Sequence, residues 1–450
     1  MKIHIKLSPY AYPIIFFALV ILVGAFLLHM DFSLAKGPIS WVDALFTATS
    51  ATCVTGLIVV DTGTFFTRIG QIIILSLIQI GGLGIMTITS LIFYLWSRRI
   101  SLTDRIAVGQ GLLHDPTFSL GSFLIKVAVM TFVIEGMGSI SLYLYLGGKM
   151  DYFSALFHSI SAFCNAGFSL YSDSLVQFRS DVWLNFIIMS LIILGGLGFS
   201  VLQELYYYIP SRLKGKRIRL SWHTRVVLST TFFLIIGGGL FIFLAEYFAN
   251  NLHYSFKEKF LLSIFQSVTC RTAGFNTVSI EHLTNVSLFI MTLLMFIGGA
   301  PGSCAGGIKV TTFRTILAYA RSQIFIKGKQ AVIGNFAVKE EDLNKAIVLF
   351  IFAFGIILIA VMLLNITEGG DIPHVFTKGL FLEVLFEATS AFGTVGLSTG
   401  LTPHLSFAGK LIIISLMFIG RLGPILFLSF VQYIQEEPRF FWPEENILIG

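Results

Sequence analysis

Charge is scarce in this chain: Asp, Glu, Lys and Arg together make up 12% of 450 residues. Soluble domains carry about a quarter, so an ordinary water-facing surface is excluded. Cysteine is also rare. The four present, Cys53, Cys164, Cys270 and Cys304, show no CxxC spacing, which argues against a thiolate metal site and leaves small-residue packing as their reading. There is no GxGxxG on a strand–helix unit and no P-loop, so no nucleotide fingerprint lies on this chain. A convergent His, Asp and Ser cluster is missing as well. His158, the clearest candidate, lacks a partner at helical spacing and reads as a packing residue. Carboxylates within the apolar runs are nearly absent, which counts against a proton-relay carrier. The chain is not expected to be an enzyme.

Apolar residues dominate instead, at 55% with a mean hydropathy of +0.85, which places the chain in lipid as an all-α integral membrane protein. Runs able to cross about 30 Å of hydrocarbon lie near 11–30, 70–97, 120–147, 182–208, 226–249, 286–320, 344–365 and 408–434. The first could be taken for a secretory signal, but no small-residue cleavage site follows and it is read as retained. Basic residues sort by side. Arg98, Arg99, Arg105, Arg212, Lys214, Lys216, Arg217, Arg219, Arg225, Arg314, Arg321, Lys327, Lys329, Lys339 and Lys345 fall between successive pairs of runs. The positive-inside rule makes those joining segments, and both termini, cytoplasmic. The same topology explains KGKRIR, Lys214 to Arg219, and contact with membrane lipid or a cytosolic partner fits that run better than nucleic acid does.

Four times a polar, amphipathic stretch runs into a glycine and a bulky apolar residue: CVTGL ending at Leu57, CNAGF at Phe168, RTAGF at Phe275 and GTVGL at Leu397. The glycines are 111, 107 and 122 residues apart, the size of a small membrane module. Phe46, Phe157 and Phe386 stand ten positions ahead of their glycine and Phe265 nine, so the third copy is one residue shorter. The chain thus divides into repeats over 1–105, 106–220, 221–335 with a broken second span, and 336–450 with a C-terminal tail. Each holds two of the eight spans and a stretch such as Trp41 to Ala51, too short to cross the bilayer and too polar to face lipid. Such a stretch must be a re-entrant helix shielded by protein.

Four short helices whose C-terminal ends meet at one axis present partial negative charge to it and favour a cation. Beyond them Val54-Thr55-Gly56, Asn165-Ala166-Gly167, Thr272-Ala273-Gly274 and Thr394-Val395-Gly396 can aim carbonyls inward in place of a hydration shell, with glycine supplying the positive φ of a tight turn. These twelve residues are the expected selectivity filter. Each second span carries a glycine cluster: Gly81, Gly82 and Gly84; Gly195, Gly196 and Gly198; Gly298 and Gly299; Gly420 and Gly423. In the first two copies close helix packing explains them. The third runs Gly298, Gly299, Ala300, Pro301, Gly302, Ser303, Cys304, Ala305, Gly306, Gly307, which cannot sustain a straight helix. It should break the span beneath the filter, where unwound backbone can obstruct ions or withdraw.

Three charges lie deep. Arg421 replaces a glycine of the fourth cluster. It either anchors helix packing through carbonyls or projects into the cavity, opposing cations and holding the broken segment. Arg271, inside the third loop, should turn behind it, with Glu387 or Asp43 as partner. Glu135 suits snorkelling or an interhelical hydrogen bond.

The fourfold plan, with FQSVTCRTAGFN (Phe265 to Asn276) and FEATSAFGTVGLSTGLTP (Phe386 to Pro403), resembles the Ktr/Trk/HKT superfamily of K⁺ transporters over nearly the whole chain. It is most similar to the membrane subunit of bacterial Ktr systems. The resemblance implies K⁺ translocation through a pseudo-fourfold pore at the cell membrane, and four filter glycines imply K⁺ over Na⁺. The loops depart from a strict TVGYG, which implies fewer ion sites. It implies an intramembrane gating loop at Gly298 to Gly307, and an arginine at Arg421 in the gating role. It also implies a homodimer and a separate cytosolic ring of Rossmann-type, nucleotide-binding subunits. Na⁺ stimulation is a further expectation, and no organic cofactor is expected on this chain. The C-terminal FFWPEENILIG is read as a dimer or partner contact.

Overall fold

The computed structural model describes residues 11–83, 120–216, 218–249, 254–325, 330–370 and 373–423. Arg98, Arg99, Arg105, Arg217, Lys327, Lys329, Gly84 and the C-terminal tail lie outside these residues, as do the distal parts of the 70–97 and 408–434 runs. What is described is almost wholly helical. Helices α1 (Ala11–His29), α4 (Leu120–Leu146), α8 (Trp222–Ala249) and α12 (Glu340–Gly369) open the four quarters of the chain. Each is followed by a shorter one: α2 (Trp41–Thr52), α5 (Tyr152–Phe163), α9 (Phe256–Thr269) and α13 (Leu380–Gly393). Then come α3 (Arg68–Gly82), α6 (Val182–Leu197), α10 (Asn285–Phe296) and α14 (Phe407–Leu422). Helices α7 (Phe199–Leu213) and α11 (Val310–Phe325) continue the second and third quarters, and a small hairpin, Val332–Ile333 with Phe336–Ala337, precedes α12.

The opening helices are inside out relative to those of a soluble protein. Helix α8 exposes Phe232, Phe233, Leu240 and Phe241 while burying Thr230, Thr231 and Glu246. Apolar exposure on that scale needs lipid around it. Residues 125–146 of α4, the 28 residues of α8 and the 30 of α12 are long and apolar enough to cross a membrane. Acidic Glu340, Glu341 and Asp342 occupy the first turn of α12, where the helix dipole favours them.

The short helices are the reverse case. At 12 to 14 residues they extend about 18–21 Å and are buried over their C-terminal halves. Phe46, Phe157, Phe265 and Phe386, the four aligned phenylalanines, are each 0% exposed. Ser40 and Asp151 cap α2 and α5 through the amides of Asp43 and Ser154, and Ser255 forms a capping box with Glu258 on α9, so these entries are fixed by local hydrogen bonds.

Packing between quarters runs in a closed order: α3 lies on α5, α6 on α9, α10 on α13, and α14 returns to α2. Ion pairs reinforce three of these boundaries, Arg68 to Asp151 at 3.1 Å, Arg179 to Glu258 at 3.9 Å and Lys410 to Asp43 at 2.6 Å.

The third quarter carries its break where expected: α10 stops at Phe296 and α11 begins at Val310. The second quarter differs from expectation. The 182–208 run is not one straight span; α6 and α7 meet at 109°. Gly198 makes the corner at φ 89° and ψ 143°, backbone that a side chain resists. Gly423 ends α14 in nearly the same conformation, φ 80° and ψ 138°.

Candidate functional site

Each short helix ends at a three-residue extended segment with the same backbone. Val54, Asn165, Thr272 and Thr394 have φ of 56°, 59°, 74° and 50°, and two residues later Gly56, Gly167, Gly274 and Gly396 have 95°, 69°, 77° and 91°. Only one other non-glycine residue among those described, Ser174, has a positive φ, so this conformation belongs to the four loops. Alternating the sign of φ turns successive peptide groups the same way.

The amides show which way. Thr55 N donates to Ser50 O at 2.8 Å, Ala166 N to Ser161 O at 2.7 Å and Val395 N to Ser390 O at 2.8 Å, all back into the preceding helix. Among the described residues, none of the twelve carbonyls from Val54–Gly56, Asn165–Gly167, Thr272–Gly274 and Thr394–Gly396 accepts a protein hydrogen bond.

The loops also meet. A Cβ placed on Gly56 would lie 2.5 Å from Ala166 O, one on Gly167 2.9 Å from Ala273 O, and one on Gly274 2.5 Å from Val395 O. One on Gly396 would overlap Thr55 O and close the circle. Glycine is required at all four positions by close approach as well as by φ, and the carbonyls of Thr55, Ala166, Ala273 and Val395 share one level. Above the ring opens a cavity of about 270 Å³ lined by Gly56, Gly396, Ser279, Glu281, Ser398 and Thr399 among others.

The sequence reading missed the residues that brace these segments. Ser50 Oγ accepts from Gly56 N at 3.0 Å and Ser390 Oγ from Gly396 N at 3.1 Å. Ser161 Oγ donates to Phe168 O and Thr269 Oγ1 to Phe275 O. The signal was present: a hydroxyl stands six residues before three of the glycines and five before Gly274. The one-residue deletion of the third copy falls between that hydroxyl and the loop. There Ala273 N bonds four residues back, to Thr269 O, instead of five.

Behind the loops several other polar residues find partners. Glu387 accepts from Ser398 Oγ, Thr399 N and Thr402 Oγ1, holding the exit of the fourth loop, and Asp43 pairs with Lys410. Neither reaches Arg271, so the expected pairing is corrected. Arg271 is 6% exposed, makes no ion pair among the described residues, and its Nε has no hydrogen-bond partner. Glu135 forms an interhelical contact, accepting from Gln79 Nε2 at 3.2 Å and Cys164 Sγ at 3.5 Å. His158 packs on Tyr171, its ring nitrogens bonded to Ser154 O and Ser169 Oγ. All four cysteines are free and buried.

Glycines of the second spans let α3, α6 and α14 touch the ends of the short helices. A Cβ on Gly81, Gly195 or Gly420 would overlap the carbonyl of Thr52, Phe163 or Phe392. Close packing is therefore real, and in the second copy the cluster also serves the bend at Gly198. The helix end there leaves carbonyls free, and the broken segment of the third span uses them. Ala300 N donates to Gly196 O at 2.9 Å and Cys304 N to Gly195 O at 3.1 Å, while Phe199 N donates to Gly302 O at 3.0 Å.

Residues Gly298 to Gly307 form a loop closed on itself, with Gly298 N on Ile308 O at 2.8 Å and a bridge between Ile297 and Ile308. The loop lies against the feet of the third and fourth extended segments. A Cβ on Gly298 would meet Thr272 Cγ2 at 3.4 Å, and one on Gly306 would overlap Thr394 Oγ1. Arg421 donates from Nη1 to Cys304 O and from Nη2 to Gly81 O, joining three quarters of the chain. Lys309, which the sequence reading passed over, donates from Nζ to Ala305 O at 2.6 Å. Its signal was a lysine two residues after the glycine-rich segment, inside an apolar run.

The family model for TrkH, cation transport protein, matches residues 13–439. The chain belongs to this family. As a TrkH-family cation transport protein it is 41% identical over 447 residues to the Ktr system potassium uptake protein B of Bacillus subtilis (strain 168), covering 96% of this chain and 95% of that one. It is 36% identical over 459 residues to the potassium/sodium uptake protein NtpJ of Enterococcus hirae, covering 100% and 99%. The crystal structure of the potassium transporter TrkH from Vibrio parahaemolyticus matches with a TM-score of 0.73 at 16% identity, covering 95% of this chain and 86% of that one, which supports the fold.

Proposed function

We propose that this chain takes up K⁺ across the cell membrane as the pore subunit of a gated transporter. The observation that carries this is the ring of four loops whose twelve carbonyls accept no protein hydrogen bond among the described residues. Such a ring replaces a hydration shell without first breaking protein hydrogen bonds, and the ends of α2, α5, α9 and α13 add partial negative charge. The similarity to proteins named for potassium and potassium/sodium uptake supports K⁺ as the main ion and Na⁺ as a second ion that stimulates or accompanies it.

In this reading the four quarters are pseudo-fourfold repeats with eight spans, supported by the closed packing order of α3, α6, α10 and α14. The loops enter from outside and both termini are cytoplasmic, supported by the distribution of Lys and Arg. Gly298 to Gly307 is the gate, supported by its place at the foot of the filter and by its two cationic ties. A homodimer with a cytosolic nucleotide-binding ring completes the assembly. Exposed Arg212, Lys214, Lys216 and Arg219, with Leu213 and Ile218 among them, supply a surface for that ring. Expression in a host lacking its own K⁺ transporters tests the function. Growth and Rb⁺ uptake at limiting K⁺ are expected; a correctly inserted protein giving neither would overturn the reading.

A further inference from the structure

Three successive carbonyls of the loop beneath the filter, those of Cys304, Ala305 and Gly306, are each engaged by a cationic side chain. Arg421 Nη1 takes the first. Lys309 Nζ bonds Ala305 O at 2.6 Å and reaches Gly306 O at 3.4 Å. Backbone carbonyls that hold a positive charge in this way are the groups that line an ion site. Gly306 also abuts the foot of the fourth filter segment, a Cβ there lying 3.1 Å from Gly393 O and overlapping Thr394 Oγ1.

Helix capping does not explain Lys309. It directly precedes Val310, the first residue of α11, and a cation at a helix N-terminus stands against the helix dipole. Lysine is a compact point charge on a flexible stem with three donors, and an ammonium has nearly the size and the charge of K⁺. Among the described residues neither Lys309 nor Arg421 bonds a carboxylate, so the carbonyls are what hold both charges.

We propose that Lys309 is the tethered occupant of a monovalent-cation site formed by the Ala305 and Gly306 carbonyls, and that its ammonium keeps this site closed to the transported ion. The proposal rests on Gly298 to Gly307 being the gate and adds what holds it shut: the loop carries its own substitute for the ion. When the loop withdraws, the ammonium leaves with the carbonyls it holds and the path beneath the filter is cleared.

The test compares Lys309→Met, Lys309→Arg and Arg421→Ala in the full-length protein, by equilibrium Rb⁺ binding to purified protein and by Rb⁺ flux into proteoliposomes. Lys309→Met should bind an additional Rb⁺ per chain and show a several-fold higher basal flux, and Lys309→Arg should restore the closed behaviour. If Lys309→Met gel-filters as aggregate, Lys309→Gln takes its place and must show the same added ion. Unchanged stoichiometry and flux in the neutral variant, beside a raised flux in Arg421→Ala, would overturn the role of Lys309 and leave the gate standing. No change in any variant would overturn the gate as well.

Discussion

The ring of glycines and the loop just beneath it are built from the same four quarters of the chain, yet one is nearly uniform and the other is not. In the ring, every segment has the same alternation of φ, a hydroxyl bracing it from behind and the same contact with its neighbour. Beneath it, α3 runs to Gly82, α6 turns by 109° at Gly198, α10 gives way to a loop, and α14 carries an arginine where the others have glycine or unwound chain. Coordinating an ion evenly from all sides calls for equivalent groups. Obstructing a path calls for one group that can move, held by others that do not, and a repeated motif cannot supply that until the copies diverge.

The largest effect should come from breaking the uniform region. Gly56→Ala puts a methyl 2.5 Å from Ala166 O at a φ of 95°. The left-handed backbone alone costs roughly 1–2 kcal/mol, and the overlap adds to it. Rb⁺ uptake should fall by at least about tenfold, equivalent to ~1.4 kcal/mol, with the protein still in the membrane.

Next comes the asymmetric region. Arg421→Ala removes two charged hydrogen bonds, to Cys304 O and Gly81 O, each of a kind contributing about 1.5–3 kcal/mol. Basal Rb⁺ flux should rise while K⁺/Na⁺ discrimination stays as it was. Unchanged flux and regulation would show that Arg421 only packs helices.

A smaller effect sharpens the comparison within the ring. Ser390→Ala deletes the hydroxyl behind Gly396 N, a contribution of about 1 kcal/mol. Discrimination should weaken by about fivefold or less, and Ser50→Ala should do the same by symmetry. A response from one and not the other, measured by competition of Na⁺ with Rb⁺ uptake, would show that the loops are not equivalent.

The smallest effect lies at the outer rim. Hydrogen bonds from Ser180 Oγ and then from Ser255 hold the Glu258 carboxyl down at about 2, below the ~4.3 of an unfolded chain. A depressed carboxylate stabilises the fold fully above the unfolded value and progressively less as pH falls through the folded one. Thermal stability should therefore drop between about pH 4.5 and 2, less steeply in Glu258→Gln.

Much of the ring was legible in the sequence because one motif recurs four times, and Phe46, Phe157, Phe265 and Phe386 align it. The shortened third copy could be counted, though its consequence, a bond to Thr269 in place of a fifth-residue partner, needed the backbone. The inner region was legible only where composition forbids a helix, at Gly298 to Gly307. Gly198 looked like Gly195 and Gly196 because a glycine that permits packing and one that permits a bend are the same residue. Long-range partners were the hardest: Glu387 serves its own loop instead of Arg271, and Lys309 and Arg421 bind carbonyls, which every residue has and no sequence marks.

The central claim is that the four glycines form one selective ring, and Gly396→Ser tests it most directly. Its side chain would overlap Thr55 O in the neighbouring loop, so the change strikes two loops at once. Uptake of Rb⁺ in competition with Na⁺, in cells lacking other K⁺ transporters, should show discrimination for K⁺-like ions lost or much reduced. Discrimination equal to that of the unaltered protein would contradict the account, since it would remove the fourth loop from the filter.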